Sequence, residues 1–120
     1  MIVKPYEDAG AYLADYEDVL LNRETVSQLV LYDAYKSKEN PRDIKGLFGV
    51  VADGDLTLLH FSYVPDGCLS VYVQDNSKDI RVASMHLADY MVANRILPNG
   101  LYAKYEVCEA FIEQFIKKVS

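Results

Sequence analysis

The fold is decided by residues 47–63, which read LFGVVADGDLTLLHFSY. A first apolar run ends at Asp53–Gly54, and a second run continues to Tyr63. An Asp-Gly step between two such runs is typical of a two-residue β-hairpin, because glycine adopts positive φ without steric cost. Apolar residues occupy both alternating faces of the second run. This strand is therefore predicted to lie in the centre of a sheet that is covered on both sides.

The strand region continues on the C-terminal side of this hairpin. Pro65–Asp66–Gly67 predicts a turn, because these residue types favour turn geometry. Residues 68–74 then alternate between two faces. The apolar residues share one face, and the other face carries Ser70, Tyr72 and Gln74. Together with the hairpin, this segment predicts a meander of three antiparallel strands.

Two helical periods precede the meander. From Asp8, apolar residues recur on one face as far as Leu20, which predicts a first helix. Residues 24–38 form a second helical period, with apolar side chains on more than one face, so this helix is expected to contact protein on two sides. Residues 2–5 can form a short strand, and Pro5 restricts it to a sheet edge.

Further elements follow the meander. A third helix is predicted from Ile80 to about Arg95, with Ser77 or Asp79 as its cap. Residues 101–105 can form a short strand. The last helix carries an apolar stripe that is expected to face the core, formed by Cys108, Phe111, Ile112, Phe115, Ile116 and Val119.

This order of elements predicts one domain over residues 1–120. The fold class is an α/β (α+β) layered sandwich, with a mainly antiparallel sheet of three to five strands and about four helices. A strand that follows a helix after the meander allows one parallel pairing through a crossover connection.

Charge and composition limit the partners. The 120 residues include 18 acidic and 12 basic side chains and carry a net charge of −6. A net negative charge disfavours binding to nucleic acid and to anionic membrane surfaces, because both are negatively charged. No apolar run approaches the roughly 20 residues that cross a bilayer, and no apolar leader is evident at the N-terminus, so a cytoplasmic location is expected. In that compartment Cys68 and Cys108 are predicted to stay reduced.

Few residues are suited to chemistry. The cysteines and the histidines, His60 and His86, lack the close pairs of a structural zinc site, so no metal ligand is assigned. A thiol enzyme that uses Cys68 with His60 is a weaker alternative. The six glycines form no phosphate-binding pattern, which argues against a coenzyme held by a glycine-rich turn. No catalytic or cofactor-binding residue is therefore assigned.

An interface is a further possibility. The chain has ten tyrosines and no tryptophan, and tyrosine is enriched at protein interfaces. If the sheet face opposite the helices is open, Ser70, Tyr72 and Gln74 would line a docking surface. These three residues are the candidate interface that the sequence predicts.

Four segments in this order resemble one family. After two predicted helices come LFGVVADG (residues 47–54) and LLHFSYVP (58–65), and later LPNGL (97–101) and EAFIEQF (109–115). They resemble the N-terminal half of a GNAT N-acetyltransferase of the bacterial two-lobed kind. The resemblance implies a helix pair and an antiparallel meander that precede a separate acetyl-transferring half.

A departure from that family shapes the expected function. The catalytic half of the family carries an Arg/Gln-x-x-Gly-x-Gly/Ala loop whose amides hold the coenzyme A pyrophosphate, and this sequence lacks that loop. The resemblance therefore implies a non-catalytic lobe that shapes the acceptor-substrate side of a cleft or that dimerises. Acetyl-CoA would enter only with a C-terminal catalytic lobe, and the expected partner is that lobe or a second copy. The alternative is a stand-alone protein-binding or dimerisation module.

Overall fold

Five strands and four helices are found among residues 1–22, 24–41, 46–64 and 67–119, which the computed structural model describes. They follow the predicted order, although the third helix ends at Ala93 rather than near residue 95. In chain order the elements are β1 (Ile2–Pro5), α1 (Ala9–Leu20), α2 (Thr25–Glu39), β2 (Leu47–Asp53), β3 (Leu56–Tyr63), β4 (Cys68–Val73), α3 (Ile80–Ala93), β5 (Gly100–Tyr102) and α4 (Tyr105–Val119).

The strands form one sheet in the order β1-β2-β3-β4-β5. β1, β2, β3 and β4 pair antiparallel with their neighbours. β5 pairs parallel with β4, because α3 carries the chain back to the same end of the sheet. The structure confirms the predicted layered α/β class, the edge position of β1 and the single parallel pairing.

The hairpin that decides the fold turns one residue later than predicted. Its two-residue loop is Gly54 and Asp55, so Asp53 ends β2 and pairs with Leu56. Gly54 has a φ of 62°, and it occupies the position that a type II′ turn reserves for glycine. In the next predicted turn, Pro65 and Asp66 lie outside the described residues.

Helices cover both faces of the sheet. α3 and α4 pack on one face, with β3 and β4 contributing most of the strand residues in that core. α1 and α2 pack on the other face and form a second core with β2. β3 is buried on both sides, as the sequence predicts for a central strand. The molecule is thus a three-layer sandwich.

The helix ends follow local chemistry, and the second helix contacts protein as its sequence predicts. Asp8 caps α1 by accepting a hydrogen bond from the Ala11 amide at 2.8 Å, and Asp79 caps α3. The prediction that α2 contacts protein on two sides is confirmed, because α2 packs against α1 and against β3 and β4, although Leu29 and Tyr32 remain exposed. Among the described helices, none has the length and apolar character needed to span a bilayer.

Candidate functional site

The predicted interface on β4 lies on a covered face. Ser70 is only 3% exposed, and Tyr72 packs beside the core formed by α1, α2 and β2. The Asn22 side-chain amide donates a hydrogen bond of 2.7 Å to the Tyr72 hydroxyl. Of the three predicted residues, only Gln74 is exposed. The expected open surface is wrong, because α2 packs across this strand and strand alternation does not reveal what covers each face.

A buried histidine lies under the same helices. His60 is fully buried on β3, opposite Tyr72 in the strand register. Its Nδ1 lies 2.7 Å from the Tyr12 hydroxyl, and its Nε2 lies 2.5 Å from the Gln74 side-chain oxygen. An amide oxygen only accepts, so Nε2 carries the proton and donates to Gln74. Nδ1 then accepts from Tyr12, and both ring nitrogens are satisfied within the fold.

Burial holds this cluster neutral. It lowers the pKa of His60 to about 4, although the hydrogen bond to Gln74 acts in the opposite direction. Burial also raises the pKa of the Tyr12 hydroxyl. The Tyr16 ring packs edge-on against the imidazole, with centroids 4.7 Å apart. At neutral pH the cluster is therefore an uncharged structural network, and sequence alternation alone did not reveal it.

The geometry rules out a Cys68–His60 pair. His60 lies opposite Tyr72 on β4, and Cys68 lies four residues earlier on that strand. Four strand residues span about 13 Å, too far for proton transfer between the two side chains. Both nitrogens of His60 are also already engaged. The thiol-enzyme alternative is therefore wrong.

The second cysteine has a structural environment as well. Cys108 donates a hydrogen bond from its thiol to the Ala103 carbonyl at 3.6 Å, and burial raises its pKa. A raised pKa makes a thiol less reactive. Neither Cys68 nor Cys108 forms a disulfide. Among the described residues, no group of His, Cys, Asp and Glu side chains is arranged to hold a metal ion.

A cavity of about 230 Å³ lies where the parallel strands β4 and β5 end. The carboxyl ends of parallel strands are a common ligand position in α/β proteins. At the adjacent start of α3, the Asp79 carboxylate accepts hydrogen bonds from the Arg81 and Val82 amides at 2.9 and 3.4 Å. The amides that would bind a phosphate at this helix start are therefore already bound by the chain's own carboxylate.

The last helix presents an exposed apolar face that the sequence placed in the core. Ile112, Ile116 and Val119 are 49%, 56% and 49% exposed. We call the face formed by these residues with the half-buried Cys108 and Phe115 the α4 surface. At about 100° per residue, Ile112, Ile116 and Val119 fall within about 60° of one another around the helix. The predicted stripe is thus real, but much of it faces solvent.

The core side of α4 is centred about 130° around the helix from the centre of the α4 surface. Its buried residues are Val107, Ala110, Phe111 and Gln114. Gln114 is buried because its amide donates a hydrogen bond of 2.8 Å to Asp89 on α3. The polar Gln114 at a core position makes this face less apolar in the sequence than the α4 surface. The signal that could have revealed it is the small Ala110, which suits close packing of two helices.

The surroundings of the α4 surface are apolar at one side and charged at the other. A cavity of about 200 Å³ beside it is lined by the segment from Pro98 to Leu101 together with Ile112 and Phe115. Acidic residues occupy the first half of α4, where Arg81 forms a 2.7 Å ion pair with Glu109. Two lysines occupy the last turn.

Two regions therefore stand out, a neutral buried cluster around His60 and the exposed α4 surface. The polar atoms of the first are paired by internal hydrogen bonds, and the second exposes apolar side chains to solvent. In comparisons with known proteins, no family model, no curated protein and no solved structure matches this chain.

Proposed function

We propose that this chain is a non-catalytic, GNAT-like lobe of a cytoplasmic N-acetyltransferase, and that it works by binding protein through the α4 surface. The observation that carries the proposal is the α4 surface itself. Its three most exposed residues, Ile112, Ile116 and Val119, expose about half of their area each. Contiguous apolar patches of this kind mark interaction sites on otherwise polar proteins.

The order of elements supports the architectural part of the proposal. The helix pair α1–α2 precedes the meander β2-β3-β4, which is the arrangement that the resemblance implies. The reduced state of Cys68 and Cys108 suits a cytoplasmic lobe.

The non-catalytic part rests on two features of the described residues. The start of α3 is bound by Asp79 rather than left open to an anion. His60 directs both nitrogens to partners inside the fold. Neither a phosphate cradle nor an available general base is therefore offered by these groups.

Calorimetry of the 120-residue chain with acetyl-CoA tests this part. We expect no heat of binding beyond dilution up to millimolar coenzyme. Calorimetry detects a coenzyme site even when that site is catalytically inactive. Binding of acetyl-CoA with a dissociation constant in the micromolar range would therefore place a coenzyme site in this chain and overturn the proposal. Free coenzyme A is the matched control, because it carries the same pyrophosphate without the acetyl group.

The second candidate is a stand-alone dimerisation module. The exposed α4 surface favours it too, and this surface replaces the covered β4 face as the expected contact. The two candidates differ in whether a catalytic lobe is required. They agree that the chain acts through α4.

A further inference from the structure

We propose that Asn99 and Gly100 form a site of spontaneous deamidation, and that Gly67 keeps this site closed while the chain is folded. The site lies in the turn that leads into β5. The inference goes beyond the proposed function and does not depend on it, because it concerns this turn and not the partner of the α4 surface.

The sequence singles out Asn99 among the asparagines. It is the only one of the five that a glycine follows. Asparagine is among the thermolabile residue types, and the absence of a side chain on the next residue leaves its backbone nitrogen open to approach. Asn40 shows the opposite case, because Pro41 has no amide hydrogen to lose. Asn99 is also exposed, so water and hydroxide can reach it.

The reaction uses only the chain and water. The Gly100 backbone nitrogen attacks the Asn99 side-chain carbon Cγ and gives up its proton. The bond from Cγ to Nδ2 breaks, and ammonia leaves with that proton. Water then opens the resulting succinimide ring at either carbonyl, which leaves aspartate or isoaspartate at position 99.

The folded chain engages the attacking nitrogen. The Gly67 carbonyl oxygen accepts hydrogen bonds from the Asn99 amide at 2.6 Å and from the Gly100 amide at 3.3 Å. Gly100 also begins β5, where it pairs with Cys68 of β4. Attack therefore requires the Gly100 amide to leave its acceptor, and breaking a hydrogen bond in a half-buried place costs free energy.

The same glycine holds the group that is attacked. A Cβ added to Gly67 would lie 2.5 Å from Asn99 Nδ2 and 2.9 Å from Asn99 Cγ. The Asn99 side chain therefore occupies the space that a side chain at position 67 would need. Gly67 has a φ of 93°, which glycine adopts without steric cost. Gly67 thus holds both reacting groups, one through its carbonyl and the other through its bare Cα.

The product would alter this edge of the sheet. Isoaspartate inserts an extra carbon into the backbone between Asn99 and Gly100, and β5 has only three residues with which to keep its register against β4. The segment from Pro98 to Leu101 also lines the cavity beside the α4 surface. Deamidation therefore changes the border of that surface and adds a negative charge to it.

Peptide mass spectrometry of the full chain tests the site. The chain is incubated at mildly alkaline pH, folded in buffer or unfolded in urea, and each asparagine is followed over time. We expect Asn99 to react faster than the other asparagines in urea and at least about tenfold more slowly in the folded chain, because the turn must open first. Gly100→Ala should bring the rate in urea into the range of the other asparagines. The fold accepts this change, since its Cβ would lie 3.6 Å from Cys68 Sγ.

A pair of glycine variants tests the role of Gly67. Gly67→Ala displaces the Asn99 side chain and should raise the rate in the folded chain at least about threefold. Gly54→Ala is the matched control, because Gly54 also has a positive φ of 62° but nothing lies within 4 Å of its added Cβ. Its rate should equal that of wild type. Circular dichroism verifies that each sample is folded.

Hydrogen exchange of the Gly100 amide, measured by NMR on wild type, tests the same role without any substitution. It gives the fraction of time for which the amide is released. The slowing of deamidation between urea and buffer should match this protection within about threefold.

Three results would overturn the inference. If Asn99 does not react ahead of the other asparagines in urea, the site does not exist. If folded and unfolded chains react at the same rate, the fold does not close it. If Gly54→Ala accelerates the reaction as much as Gly67→Ala, or if exchange protection and slowing disagree, Gly67 is not the residue that holds it closed.

Discussion

Acidification is expected to destabilise this protein through His60. Burial gives the folded imidazole a pKa of about 4, against 6.5 for the ordinary group. Between these values the unfolded chain binds a proton that the folded chain does not, so stability is complete above pH 6.5 and falls as the pH falls toward 4. One pKa unit corresponds to about 1.4 kcal/mol. The free energy of unfolding should therefore fall by about 2 kcal/mol between pH 7 and pH 5.

Urea unfolding followed by circular dichroism at several pH values between 7 and 5 measures this loss. Most carboxylates titrate below that window, so they contribute little to the slope. His60→Gln should lower stability at pH 7 and flatten the pH dependence. His86→Gln is the control, because His86 is exposed on α3, and it should keep the wild-type slope. The reasoning is refuted if His60→Gln retains that slope or if His86→Gln removes it.

Two further pairs of substitutions probe the sheet and the helices that cover it. Tyr12→Phe removes the donor to a buried imidazole nitrogen and should lower the free energy of unfolding, measured with urea, by about 2 kcal/mol. Tyr16→Phe removes a half-buried hydroxyl and should lower it by less than about 1 kcal/mol. Equal losses would contradict the assignment of Tyr12 as the donor to His60. Gly49→Ala would place a Cβ 2.4 Å from the Lys4 carbonyl oxygen and should cost about 2 kcal/mol. Gly10 lies in a helix, and a Cβ added there has its nearest contact at 3.4 Å, so Gly10→Ala should raise the free energy of unfolding by about 0.5 kcal/mol. If the two glycine substitutions changed stability in the same direction, this steric account would be contradicted.

The strand region was predictable because its signals are local. Gly54 supplies the positive φ that a two-residue loop needs, and the loop forms within one residue of the predicted place. Pro5 confines β1 to an edge by the absence of its amide hydrogen. Asp79 caps α3 through atoms only two and three residues away. Such features depend on short stretches of chain, so the sequence displays them directly.

The surfaces were not predictable, because they depend on contacts between distant segments. The Ser70 face of β4 is covered by α2, and nothing within β4 encodes that cover. The buried side of α4 is selected by the packing of Ala110 and by the hydrogen bond from Gln114 to α3. The largest apolar stripe was therefore a poor guide to the core.

β1 occupies the edge of the sheet next to an apolar strand that is prone to pair with other strands. β2 reads LFGVVAD, with no charge until its last residue, and uncharged apolar strands of six or seven residues pair readily with copies of themselves. β1 covers the open hydrogen-bonding edge of β2, but it reaches that place only after the chain has closed a loop through α1 and α2. Such long-range pairing is slow to form. We therefore expect the first five residues to protect β2 from intermolecular strand pairing, and we expect this protection to form late in folding.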